Sequence, residues 1–227
     1  MKIVVDFLRN LKQNNNREWF NKHKDDYLKA QERFNQITQK IIDGIQQFDN
    51  SITGLTYKDC TYRIYRDVRF SKDKSPYKTH MGAYICQGGK KSAFSGYYFH
   101  VGVGGHGYPD AHMLAIGDYI CDPKVLKILR EDIIDDGEHF VDTLKKAGKN
   151  FVLDDSYKLK KVPKGFDNES PWAEYTKYKV FCIFQEPDDK LILSNNCVDW
   201  VVRQCKAAKP FLDFINRAVQ YVKDGNE

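Results

Sequence analysis

Between Glu18 and Phe48 the chain carries apolar residues at positions 20, 27, 30, 34, 37, 41, 45 and 48. Steps of three and four place most of them on one face of a helix, so this stretch predicts a long helix whose stripe covers a core. Ile3 to Leu11 predicts a shorter helix before it, with Asn14-Asn15-Asn16 supplying the turn and an N-cap. Near the other end, apolar or small residues at 198, 201, 205, 208, 212, 215, 219 and 222 repeat the spacing. Pro210 has no backbone N–H and is expected to kink that last helix.

The middle of the chain reads differently. Thr61 to Arg66, Thr79 to Gln87, Gly96 to Val103 and His112 to Gly117 are rich in Tyr, Ile, Phe and Val and are separated by Gly or Pro, which predicts strands. Gln87 to Lys91 reads as a hairpin loop. Asp122-Pro123 starts a helix through Val125 and Ile133, Gly148 ends the next helical stretch, and Val180 to Phe184 reads as a short buried strand. Helices at both ends with strands grouped between them predict an α+β fold. The expectation is a single domain over residues 1–227, with a central, mostly antiparallel sheet of about four strands flanked by long N- and C-terminal helices.

Composition narrows the class. The 227 residues are 41% apolar and 14% aromatic, enough for a real core and too apolar for a disordered or fibrous chain. The longest apolar run, Val180 to Phe184, is far short of the roughly 18 residues of a membrane span. Met1-Lys2-Ile3 opens into amphipathic sequence rather than a signal peptide. The six cysteines include no C-x-x-C pair and are expected to be reduced. A cytoplasmic protein with no membrane association and no cofactor is expected, its oligomeric state left open.

Charge adds a location. The net charge is +5, and Arg63 to His80 contributes most of it: Arg63, Arg66, Arg69, Lys72, Lys74 and Lys78 against Asp67 and Asp73. Such concentration points to a local anion site rather than a surface coated for general attraction. If the first half of the segment is a strand, Arg66 shares a face with Ile64, Val68 and Phe70 and is expected to be buried against a carboxylate or a ligand. Arginine's planar fork suits carboxylate or phosphate, and the lysines add mobile charge. Glu18 and Asp67 are the candidates for orienting the arginines and the weak candidates for acid–base work. Internal salt bridges and a solvated turn are the plainer alternative.

The stretch R-I-Y-R-D-V-R-F-S-K-D-K-S-P-Y-K, from Arg63 to Lys78, closely resembles the signature of the domain of unknown function 2461 family. The resemblance extends over nearly the whole chain. N-N-R-E-W-F from Asn15 to Phe20 is read as the family's N-terminal motif, G-Y-Y from Gly96 to Tyr98 as its middle strand, and P-K-G-F from Pro163 to Phe166 as its later loop. What the resemblance implies is membership; it brings no reaction, cofactor or catalytic residue with it. His106 and His112, around Tyr108-Pro109-Asp110, depart from the glycine-rich pattern expected there.

Other candidates carry less. Gly102 to Gly107 formally matches G-x-G-x-x-G, but the sequence after it leads to a strand instead of opening a helix, so a flexible hairpin is the better reading. His100, His106 and His112 could in principle meet at a metal, although no ligand spacing fixes them together. Ser71 and Ser75 lie in no nucleophile context.

The leading expectation is therefore a pocket for a small anionic or phosphorylated ligand built from the six basic residues, with turnover left open. The alternatives are a nucleic-acid-binding module that also uses Tyr65 and Tyr77, and a protein-interaction domain whose basic turn docks on an acidic partner. The turn's lysines are expected to matter to ligand binding more than to folding.

Overall fold

Helix α1 (Lys2–Gln13) buries Val4, Val5, Leu8 and Leu11, the stripe its spacing predicts, in the computed structural model, which describes residues 1–225. Asn16 caps α2 (Arg17–Lys22), its side-chain oxygen accepting from the Trp19 backbone N–H at 2.9 Å. The long helix expected from Glu18 is broken once. His23 leaves helical dihedral angles, stacks its ring on Trp19 and donates from Nδ1 to the Trp19 carbonyl at 2.8 Å, so α3 begins afresh at Lys24–Ile45. A short helix α4 (Tyr57–Cys60) follows, closed by a capping box between Thr56 and Asp59.

Three strands come next: β1 (Met81–Ile85), β2 (Gly96–Val101) and β3 (Met113–Asp118). Helix α5 (Pro123–Asp135) starts on the Asp122 cap, and α6 (Gly137–Ala147) ends at Gly148, whose φ of 103° suits a residue without a Cβ. The remainder is β4 (Val152–Leu153), α7 (Ala173–Thr176), β5 (Phe181–Gln185), α8 (Asp189–Leu193) and α9 (Cys197–Lys223). Helix α9 continues through Pro210 as one element. The sheet order is β1-β2-β3-β5-β4 with every neighbouring pair antiparallel, so the fold is α+β; β4 is a strand that the sequence pattern does not supply.

One expected strand does not form. Thr61 to Arg66 makes only isolated bridges, Thr61 to Ala83 and Tyr65 to Tyr77. The chain from 61 to 80 instead folds into an arm beside β1, held by Arg66 N–H to Pro76 O at 3.0 Å and Lys78 N–H to Ile64 O at 2.8 Å. Its alternating charges give it no continuous apolar face to lay on the sheet. Pro76 also withholds a ladder donor.

Strand alternation divides the sheet into two faces. Ala83, Phe99, Leu114, Tyr97, Ile116 and Ile183 point to the face covered by α3 and α9, where Phe34 stacks on Phe99 and Gln185 donates to Gln204 at 2.9 Å. The register puts Tyr84, Tyr98, Ala115 and Phe184 in one row on the opposite face, with Gly82, His100 and Met113 in the next. Loops rather than long helices border this second face. Among the described residues no helix is long and apolar enough to cross a membrane. All six cysteines are free thiols.

Candidate functional site

A cleft of about 690 Å³ opens on the second face of the sheet. Tyrosine rings pave much of its floor. Tyr84, on β1, donates its hydroxyl to the carbonyl of Gly117, two strands away on β3, at 3.0 Å. Its path crosses β2 near Gly96, which is paired with Gly117, so two positions without side chains make room for the ring. Tyr98 lies in the same row and bonds His100 at 2.9 Å. Gly82 must be small as well, because a Cβ there would come within 2.8 Å of the Tyr98 hydroxyl oxygen.

The histidines on this side are structural. His100 is fully buried, and its Nε2 faces the Pro109 carbonyl at 3.0 Å, an acceptor, so the proton sits on Nε2 and Nδ1 accepts from Tyr98. His80 stacks on His100 at 4.3 Å, and Tyr108 packs against both rings. Burial, more than any other cause, holds both imidazoles far below the usual histidine range, His80 at about 3 and His100 at about 4.

His112 is elsewhere. Its Nδ1 accepts the Gly102 backbone N–H at 3.2 Å while Nε2 donates to Asp189 at 2.8 Å, and Asp189 also pairs with Arg9. His106 is exposed, 4.0 Å from Glu186. The three histidines considered for a metal therefore have separate partners, and no group of His, Cys, Asp or Glu among the described residues is arranged to hold an ion. The glycine-rich stretch is a loop between β2 and β3 that forms one wall of the cleft through Gly107 and Tyr108.

The basic segment divides. Arg63 and Lys78 line the cleft at the β1 side. Lys78 lies over the Tyr62 ring at 5.4 Å, and burial, with the Arg63 charge, lowers its pKa. No carboxylate among the described residues pairs with either cation. Arg66 is only half-buried, because the strand that would have set it on one face with Phe70 does not form and Phe70 is exposed; its carboxylate is Asp73, not Asp67 or Glu18. Arg69 pairs with Asp67, whose oxygen accepts from Arg69 Nε at 3.0 Å. Lys72 and Lys74 lie exposed on the tip of the arm, and Lys74 donates to the Val68 carbonyl at 3.0 Å. Only two of the six expected ligand contacts are thus brought to the cleft.

Glu18 does not approach the arginines; it is exposed and pairs with Lys22 at 2.8 Å. The side chain that reaches the arm from this region is Asn15. Its Nδ2 donates to the Tyr77 carbonyl at 2.9 Å and its Oδ1 accepts the Tyr77 N–H at 3.2 Å, while Phe20 stacks on the Tyr77 ring with centroids 3.9 Å apart. Two sequence motifs, N-N-R-E-W-F and the P-Y-K end of the arm, therefore meet in space. A family model for conserved hypothetical proteins, domain of unknown function 2461, matches residues 3–214. The chain belongs to that family. No curated protein and no solved structure matches it. The match takes in the arm, the Asn15 motif and every strand of the sheet, so the cleft lies wholly within the family's common region.

Sequence reasoning passed over the far side of the cleft. Asp118 ends β3, with Tyr119 and the strongly exposed Ile120 next to it, and Phe184 and Met113 complete the apolar lining. Burial raises the Asp118 pKa, aided by the charge of Asp122 and opposed by the hydrogen bond from the Ile120 N–H. Period-two alternation in β3 was the available signal for Met113, Ala115 and Gly117 sharing one face.

Proposed function

We propose that this protein binds a small organic anion in the cleft, with Arg63 and Lys78 holding the anionic group and the tyrosine floor holding an apolar or aromatic body. The observation that carries the reading is the pair of cations, Arg63 and Lys78, that have no carboxylate partner within ion-pair distance among the described residues although Asp118, Asp154 and Glu186 line other parts of the same tyrosine-floored cleft. Cations left unneutralised beside low-dielectric walls raise the local potential for an anion, and a concave, mostly apolar lining excludes water from the contact. No reaction is assigned, since Glu18 and Asp67 are engaged outside the cleft. Six free cysteines suit a reducing, cytoplasmic setting.

Calorimetric titration with benzoate and with inorganic phosphate tests the reading. Arg63→Ala and Lys78→Ala should each weaken benzoate binding by roughly tenfold, the loss of one charge-assisted contact. Benzoate binding that is indifferent to both substitutions refutes it.

A second reading is supported by the arm. Phe70 is 95% exposed beside Arg69, Lys72 and Lys74, an arrangement that suits stacking and charge contact with single-stranded nucleic acid. Binding of an oligonucleotide at low salt that falls steeply as salt rises and is lost in Phe70→Ala supports it; absence of binding at low salt removes it.

A further inference from the structure

We infer that Lys78 is the nucleophile of the cleft and takes a 2-oxo acid, its amine forming an imine with the ligand's carbonyl carbon while Arg63 holds the adjoining carboxylate. This rests on the reading of the cleft as an anion site and names both the class of anion and what happens to it there.

Both limbs of the arm hold Lys78 at the cleft wall. Its backbone N–H donates to the Ile64 carbonyl at 2.8 Å, and the residue before it, Tyr77, bridges Tyr65 and is gripped by Asn15 and Phe20. That pairing sets Lys78 opposite Ile64, the residue that follows Arg63, and the two cationic side chains line the same cleft. The Lys78 ammonium lies 5.4 Å from the centre of the Tyr62 ring. Asp118, Asp154 and Glu186 line the cleft as well, yet among the described residues no carboxylate forms an ion pair with Lys78.

An amine attacks only in its unprotonated form, and loss of water or a neighbouring positive charge favours that form. Both act on Lys78. Burial first, and then the Arg63 charge, lower its pKa. The other lysines of the arm, Lys72 and Lys74, are exposed on its tip and outside the cleft.

The placement of the guanidinium selects the ligand. A simple aldehyde or ketone would use the amine alone, whereas a 2-oxo acid has its carboxylate on the carbon next to the carbonyl and engages the neighbouring arginine too. In the step itself, the Nζ lone pair forms a bond to the carbonyl carbon as the carbonyl π pair moves to oxygen. Both protons of the neutral amine pass to that oxygen, which departs as water and leaves a carbon–nitrogen double bond. No electrons are gained or lost overall, so the step needs no oxidant or reductant.

The test is to incubate the full chain with pyruvate and sodium cyanoborohydride, which reduces an imine to a stable secondary amine, and to map the modified lysines by peptide mass spectrometry. Lys78 should be labelled ahead of Lys72 and Lys74, the exposed lysines of the same segment. Lys78→Arg, which keeps the charge, should lose this label. Arg63→Ala should lower the labelling of Lys78 roughly tenfold, the loss of one charge-assisted contact. Labelling with no preference for Lys78 overturns the inference, and so does labelling of Lys78 that Arg63→Ala leaves unchanged. Neither result touches the anion reading, which Arg63-dependent benzoate binding decides separately. Mapping the unaltered protein decides for Lys78 should Lys78→Arg not fold, and Arg63→Gln replaces Arg63→Ala on the same terms.

Discussion

The side-chain amide of Asn15 does for Tyr77 what a neighbouring strand would do, receiving its N–H and donating to its carbonyl across 62 residues of sequence. This places the base of the arm, and with it Lys78, at a fixed position beside the sheet although the arm itself has only isolated bridges.

Asn15→Ala removes both bonds and leaves a half-buried peptide group to find other partners. The expected loss is about 1–3 kcal/mol of unfolding free energy, measured by urea denaturation, together with weaker anion binding as Lys78 loses its anchor.

Replacing Lys72 and Lys74 together with alanine has a different outcome. Both are exposed and outside the cleft, so stability should change by no more than about 1 kcal/mol and benzoate affinity should hold. This reverses the weight that the sequence pattern gives to the turn. A large fall in affinity in the double variant would return the turn to the binding site.

Gly82→Ala tests the floor. The added methyl meets the Tyr98 hydroxyl oxygen at 2.8 Å and Cε2 at 3.1 Å, so the ring must leave its bond to His100. Overpacking of this kind costs about 1–3 kcal/mol, and thermal denaturation should register it alongside a reduced affinity for benzoate.

The stacked histidines set an acid limit. Their folded pKa values, about 3 and about 4, lie below the unfolded value near 6.5, so as pH falls through 6.5 the unfolded chain takes up protons that the folded one refuses. Stability should decline from pH 6.5 down towards 4, on the order of 2 kcal/mol for each histidine at pH 5. His80→Phe keeps a ring against His100 and should make the decline shallower; urea titrations at pH 5 and pH 7 on both proteins check this.

Much of the frame was legible because periodicity reports burial. The stripes of α1, α3 and α9, the Asp122 and Asn16 caps and the positions of β1, β2, β3 and β5 follow from spacing and from cap chemistry. The two-residue β4 was too short to carry a pattern. Thr61 to Arg66 has strand-like composition, yet its neighbours across space, Asn15 and Phe20, decide its form, and no local pattern contains them. The basic segment was correctly singled out as charged, but the division between Arg63 and Lys78 at the cleft and Arg66 and Arg69 in ion pairs depends on which carboxylates the fold brings near. Asp118 was invisible as a site residue because a lone acid after a strand reads as an ordinary turn.

The chain of contacts from Arg9 through Asp189 and His112 to the Gly102 N–H, with Lys12 on Asp110 beside it, bears on the order in which the molecule can be completed during synthesis. His112 must wait for a partner 77 residues further on, so the loop that walls the cleft cannot take its final form while the ribosome is still making the middle of the chain. The three strands β1 to β3 are consecutive in the chain, joined by loops of 10 and 11 residues, and can pair before the rest is made. The cleft they carry becomes whole only when α8 arrives and meets α1, which precedes all the strands.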